Sequence, residues 1–315
     1  MRQLNSKVSR MIAIMALLAV SLCGQGDPVF RSDANFVVLH TTVADRNGRL
    51  VTDLPQKAFK VYENNVEQQL KVFRREDIPV SLGLVIDNSG SMKDRRLKVE
   101  AAALQLVKGS NPQDQTFIVN FNDESYLDCG FTSSIPKLEE GLARLDSRGG
   151  TAVRDAISMS IDYMKENAKL DKKIVFVVTD GDDNMSSITL EQLVQKAQES
   201  EVLIYAIGLL NEEDRGIAKR AQRALNTITG ASGGAAYYPK ELSEVGEIAL
   251  RVAHEVRNQF TLAYSPTNQA LDGSYRQIRV TVEGPNRPTA RTRTGYYATS
   301  VPRPKQVASK PAAKN

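Results

Sequence analysis

The sequence predicts an α/β fold, a doubly wound and mostly parallel sheet inserted into a small antiparallel β-sandwich. Three observations carry that expectation. Between residues 79 and 258, four apolar runs are separated by amphipathic helical patterns. On both sides of that span, shorter stretches alternate apolar and polar residues, as strands with one wet face do. Three connections inside the central span are rich in Asp, Asn, Ser, Thr and Gly.

Residues 1–26 read as a secretory leader, because Arg2, Lys7 and Arg10 precede the apolar stretch Met11–Val20 with no acid among them. The apolar run is about 12 residues, short of the roughly 20 a spanning helix needs. Cleavage and a secreted, periplasmic or envelope location are therefore expected, with an uncleaved anchor as the competing reading. The cleavage position stays open: Gly24-Gln25-Gly26 offers small residues, while Cys23 raises lipidation, against which Leu22 argues. No later segment is apolar and long enough to span a membrane.

Residues 27–78 are an N-terminal β region. Asn35–Val43 is β-branched and apolar, and Asp45-Arg46-Asn47-Gly48 supplies turn chemistry before Leu50-Val51. Ala58–Tyr62 alternates, Glu63-Asn64-Asn65 turns, and Gln69–Phe73 alternates again, an expected antiparallel set. Residues 79–258 change style. Leu82–Ile86, Thr116–Phe121, Ile174–Val178 and Val202–Ile207 are continuous apolar runs, which suit parallel strands covered on both faces. Val153, Ile157, Ser160, Ile161 and Met164 share one helical face, as do Val245, Ile248, Ala249, Val252 and Val256.

Alternation returns over residues 259–299, in Phe260–Tyr264, Tyr275–Val282 and Arg291–Tyr297. Flanks of about 50 and 40 residues are each thin for an independent core, so they are expected to pair with one another. Residues 300–315, rich in Pro, Lys and Ala, read as a disordered, solvated tail.

The formal net charge of +4 misrepresents the body of the chain. Three positive charges precede residue 27 and seven follow residue 286, so the span between them carries −6. That balance argues against nucleic-acid binding. Loss of Cys23 with the leader leaves Cys129 alone and no intramolecular disulfide. Cys129 lies in Tyr126–Phe131, a short strand pattern, and reads as a half-buried small hydrophobe rather than a nucleophile. His40 and His254 lie away from the strand tips and read as partly buried or surface side chains.

In a doubly wound sheet, ligands bind beyond the carboxyl ends of the strands. Three polar clusters meet that condition: Asp87-Asn88-Ser89-Gly90-Ser91, Gly149-Gly150-Thr151 opening a helix, and Thr179-Asp180-Gly181-Asp182-Asp183-Asn184. Their carboxylates and hydroxyls suit a hard divalent cation such as Mg²⁺, octahedral at roughly 2.0–2.1 Å. Asp87, Ser89 and Ser91 face one way in an extended segment, and Gly90 lets the turn curl around one ion. Any one cluster alone is equally a capped turn, with Asp and Ser holding a helix N-terminus. Asp182 and Asp183 lack the spaced pattern of a calcium loop and read as solvated.

Taken together, Asp-x-Ser-x-Ser, the distal Gly-Gly-Thr and the later Thr-Asp-Gly resemble the metal-ion-dependent adhesion site of von Willebrand factor type A domains. The resemblance implies that family's Rossmann-like sheet. It also implies that Ser89, Ser91 and Thr151 contact the metal through hydroxyls, while Asp87 and Asp180 hold it directly or through water. Mg²⁺ is the expected ion, with Mn²⁺ or Ca²⁺ as alternatives. Asp45-x-x-Gly48-x-x-Val51-x-Asp53-Leu54, Phe59-x-Val61-x-Glu63 and Gly295-Tyr296-Tyr297 further resemble a bacterial family of exported type A related proteins common in acidobacteria. By that resemblance a protein partner's Asp or Glu completes the octahedron, and a shift of the last helix, residues 241–258, couples to affinity.

Three classes of function follow. A cation-dependent binding module without enzymatic activity is the leading expectation and predicts partner capture that chelators abolish. A metal-independent structural protein of the cell envelope predicts no such dependence. A metal-dependent hydrolase predicts turnover and needs a base near the ion, for which Asp182 or Asp183 is the nearby candidate.

Overall fold

The computed structural model describes residues 36–299 apart from 76, 110, 144–146, 181–182 and 211–213. The expected leader, Cys23, the tail and Asp182 lie outside the described residues.

The chain begins with β1 (Val37–Ala44), β2 (Phe59–Glu63), β3 (Val66–Gln68) and β4 (Leu70–Arg74). It then enters the α/β region through β5 (Val80–Asp87), α1 (Arg96–Lys108), β6 (Gln115–Phe121), β7 (Ser125–Thr132), α2 (Ile135–Ala143) and α3 (Val153–Asn167). That region continues with β8 (Lys172–Thr179), α4 (Leu190–Ser200), β9 (Leu203–Gly208), α5 (Arg215–Ser232), β10 (Ala236–Tyr237) and α6 (Val245–Arg257). Four strands follow: β11 (Phe260–Tyr264), β12 (Tyr275–Val282), β13 (Thr289–Arg291) and β14 (Gly295–Tyr297).

The central sheet has the order β10-β9-β8-β5-β6-β7 and is parallel except for the edge strand β7. Every residue of β5 and of β9 is buried, which is why these strands read as unbroken apolar runs. Leu82, Leu84 and Ile86 pack with Leu106 of α1, Leu138 of α2 and Val252 of α6 on one face. Val85 packs with Ile157 of α3, Leu193 of α4 and Leu225 of α5 on the other. Local chemistry sets the helix ends: Thr189 and Gln192 form a capping box at the start of α4, and Gly233 at φ 92° stops α5. From the middle of the sheet, β6 lies on one side of β5 and β8 on the other. Such a reversal opens a crevice at the carboxyl end of β5, where Asp87 sits.

The flanking strands form two antiparallel sheets, β13-β1-β11-β4 and β14-β12-β2-β3, each combining strands from both ends of the described chain. Here the arrangement differs from the N-terminal set expected from sequence. Asn64 and Asn65, at φ 47° and 66°, close the hairpin of β2 with the three-residue β3. The chain then changes sheets, and β4 pairs with β11 instead of continuing the hairpin. Burial explains the crossing: Phe73 of β4 packs against Phe59 and Phe260, with ring centroids 5.3 and 5.6 Å apart, in the core between the sheets.

Candidate metal centre

Three chain segments converge at the carboxyl ends of β5 and β8. Asp87 ends β5, 2% exposed, and its Oδ1 accepts the backbone N–H of Ser89 at 2.8 Å. Thr179, the last residue of β8, donates its hydroxyl to Asp87 Oδ2 at 2.6 Å, so the two strand tips are bonded side chain to side chain. Ser89 and Ser91 bring their Oγ atoms within 3.2 Å of each other. Ser91 Oγ donates to Asp180 Oδ1 at 2.9 Å. Asp87, Ser89 and Asp180 are buried, and Ser91 is exposed at the mouth.

The Gly149-Gly150-Thr151 segment is held to the same place by its backbone. Gly90 N–H donates to the Gly149 carbonyl at 3.1 Å, and Ala152 N–H to the Asn122 carbonyl at 2.8 Å. Gly149 adopts φ 76°, and a Cβ there would meet Asp123 Oδ2 at 2.2 Å, so glycine is required. Thr151 is 4% exposed. Its N–H donates to Asn184 Oδ1 at 2.9 Å and its carbonyl accepts the N–H groups of Asn184 and Met185. The three sequence clusters thus meet, although the contacts of Thr151 to the third cluster run through its backbone.

The donor spacing fits a small octahedral cation. Ligands at roughly 2.1 Å put adjacent oxygens about 3.0 Å apart; the Ser89–Ser91 and Ser91–Asp180 separations are 3.2 and 2.9 Å. Electrostatics point the same way. Burial pushes the Asp87 carboxyl up to about 6, helped by the neighbouring Asp180 and opposed by the Thr179 and Ser89 hydrogen bonds. Burial also raises Asp180, against the pull of Ser91 and Arg95. A divalent ion between these acids would offset the cost of ionising both. Among the described residues no three His, Cys, Asp or Glu side chains cluster to hold a metal, so neutral oxygens would have to complete any set here.

Sequence reasoning missed two side chains at this site. Arg95 Nη1 donates to Asp180 Oδ2 at 2.7 Å and to the Leu209 carbonyl at 2.9 Å. Asp123 Oδ1 accepts the Gly150 N–H at 2.6 Å. An arginine four residues after Ser91 was visible in the sequence, but only the fold brings it to Asp180. Asp183, which reads from sequence as a solvated acid or a candidate base, instead pairs with Arg154 at 3.1 Å and accepts from Ser186. His40 is half-buried, its imidazole lowered to about 3 by burial and by Lys172, Arg293 and Lys173. His254 is exposed near the end of α6.

Comparison with known proteins agrees with this fold. Residues 82–182 match the family model described as von Willebrand factor type A domain. The chain is 24% identical over 147 residues to inter-alpha-trypsin inhibitor heavy chain H4 of Bos taurus, covering 42% of this chain and 16% of that protein. It is 23% identical over 188 residues to an uncharacterized protein of Synechocystis, covering 56% of this chain and 44% of that one. It therefore spans less than half the length of these relatives. Among solved structures, proximal thread matrix protein 1 from the mussel byssus, with a zinc-occupied MIDAS motif, superposes with a TM-score of 0.50 at 16% identity, covering 62% of this chain and 50% of that one. The family match runs from within β5 to just past the tip of β8, a segment that carries the first two polar clusters and the Thr179-Asp180 start of the third. Residues 82–182 form a von Willebrand factor type A domain.

Proposed function

We propose that this chain is a cation-dependent binding module, in which a divalent ion at the β5 and β8 tips completes its coordination with a carboxylate from a protein partner. The observation that carries the reading is the Ser89–Ser91–Asp180 oxygen array, whose 3.2 and 2.9 Å spacings match two edges of an octahedron. Ser89, Ser91 and Thr151 supply neutral oxygens, and Asp87 and Asp180 supply the two charges. Two carboxylates leave a divalent ion able to accept an anionic ligand, and the exposed Ser91 marks the side from which it approaches. Mg²⁺ suits the all-oxygen set, and Mn²⁺ serves as its experimental surrogate. The zinc-occupied motif of the mussel protein supports metal at such a site.

No catalytic step is assigned. Asp183 is committed to Arg154 and Ser186, so it lacks the freedom a general base needs. Residues 1–26 fit export to the envelope or beyond, where a binding module meets partners.

An array of immobilised acidic and neutral peptides, probed with the purified protein in Mg²⁺ or in chelator, tests the proposal. Capture confined to Asp- or Glu-containing peptides, dependent on Mg²⁺ and lost in a folded Thr151→Ala variant, is the expected result. Capture that ignores chelator would favour the metal-independent structural reading.

A further inference from the structure

We infer that Arg95 is an electrostatic governor of the cation site: by neutralising Asp180 it weakens cation binding and keeps the loaded ion electrophilic toward an incoming carboxylate. The inference rests on the reading of the site above and adds a residue and a role to it.

The arginine sits where helix physics disfavours it. Arg95 is the residue at the N-terminal boundary of α1, makes no side-chain cap, is followed by Arg96, and no acid lies in the helix's first turn. Cations at a helix N-terminus face the positive end of the macrodipole. A tertiary partner must therefore hold Arg95 in place, and Asp180 does: its side chain is 1% exposed against 31% for Arg95. The bond from the same Nη1 to the Leu209 carbonyl fixes the guanidinium between the ends of β8 and β9.

The two carboxylate oxygens of Asp180 are divided. Oδ1 faces Ser91, on the side of the proposed cation, and Oδ2 faces Arg95. One carboxylate is thus shared between the metal side and a fixed positive charge. With Arg95 present, Asp87 and Asp180 contribute a net charge of about −1 to the site instead of −2, and a divalent ion leaves it positive. Repulsion between Arg95 and the ion lowers cation affinity, and the residual positive charge favours an anionic ligand.

A positioning role for Arg95 has the opposite sign, because removing an outer-shell partner that orients a metal ligand weakens metal binding. Asp180 is already oriented by Ser91 and by burial, so loss of the Arg95 bond leaves its Oδ1 in place. The charge effect, doubled for a divalent ion, then prevails.

Calorimetric titration of Mn²⁺ into the wild-type protein, Arg95→Gln and Arg95→Lys decides the matter, with melting temperatures recorded in chelator and in Mn²⁺. The expected result is about tenfold tighter Mn²⁺ binding in Arg95→Gln and wild-type affinity in Arg95→Lys, which keeps the charge. Arg95→Gln should also melt lower than wild type in chelator and gain more from Mn²⁺. Equal or weaker Mn²⁺ binding by a folded Arg95→Gln overturns the governor role while leaving the metal site standing. Absence of Mn²⁺ binding in all three proteins overturns both.

Discussion

Tyr205 of β9 donates its hydroxyl to Glu255 of α6 at 2.7 Å, tying the last helix of the α/β region to the second strand from the edge of its sheet. Thr42 of β1, Tyr237 of β10 and Arg291 of β13 converge on the same carboxylate, which is 4% exposed. Gln259 adds bonds to Thr42 and Tyr205. The C-terminal end of α6 is therefore bonded to both the parallel sheet and the β-sandwich. A sliding motion of this helix, implied by resemblance to the adhesion family, would have to break those bonds together.

Because Thr42, Tyr205, Tyr237 and the partly exposed Arg291 lose their shared acceptor, Glu255→Ala should destabilise the protein by about 3 kcal/mol. Urea denaturation gives the value. Glu255→Gln, which keeps the shape but leaves Arg291 without its counter-charge, should fall between the variant and wild type. A loss near zero for Glu255→Ala would mean that the helix end is not anchored through this carboxylate.

Lys172 of β8 is a second buried charge at the same junction, 3% exposed, with its ammonium donating to the Val256 carbonyl. Burial lowers its pKa from 10.5 to about 8, against the raising influence of Asp77, Glu255 and Asp114. Below pH 8 both folded and unfolded chains carry the proton, and the cost of burying it is felt in full. Between pH 8 and 10.5 the folded chain releases it first, so stability should rise with pH by up to about 1.4 kcal/mol per unit. Urea midpoints from pH 7 to 10 test this, and Lys172→Met should flatten the rise.

Asp87 gives the opposite acid-side signature for the cation. Its carboxyl is pushed up to about 6 by burial, so below that pH a proton competes with the metal. Mn²⁺ affinity should fall by about tenfold per pH unit below 6 and level off above it. Titrations at pH 5, 6 and 7.5 suffice, and a flat profile would argue that Asp87 does not hold the ion.

Gly83, in the middle of β5, carries the Asp87 tip through packing. A Cβ at this position would meet Phe117 Cζ at 2.4 Å. That ring is wedged against Phe131 and Tyr163, with centroids at 4.9 and 4.8 Å, and has little room to yield. Gly83→Ala should cost about 1–3 kcal/mol by overpacking. Thermal melting would show the loss, and an unchanged melting temperature would show that the Phe117 ring rotates out of the way.

What could be read in the sequence depended on how local the cause was. The parallel strands were legible because burial on both faces removes alternation, as in the wholly buried β5 and β9. Asp87, Ser89, Ser91 and Asp180 were legible because oxygen-rich residues end two such runs, and the structure brings them within bonding distance. Arg95 was not, since an arginine among exposed helical residues looks solvated until β8 and β9 bring Asp180 and Leu209 to it. Glu255 was hidden for a similar reason: beside His254 it looks like a surface acid until β9, β10 and strands from both flanks close around it. The sheet change after β3 escaped notice because the three residues Val66–Gln68 are too few to show a period.

The central claim is that the tips of β5 and β8 bind a divalent cation. Calorimetric titration of Mg²⁺ and of Mn²⁺ into the whole protein, beside an Asp87→Ala variant shown to be folded, tests it most directly. The account predicts saturable binding at one site per chain in the wild type and none in the variant. Absence of heat and of any metal-induced change in melting temperature in the wild type would contradict it, and the oxygen-rich tips would then be turns that cap and join the strands.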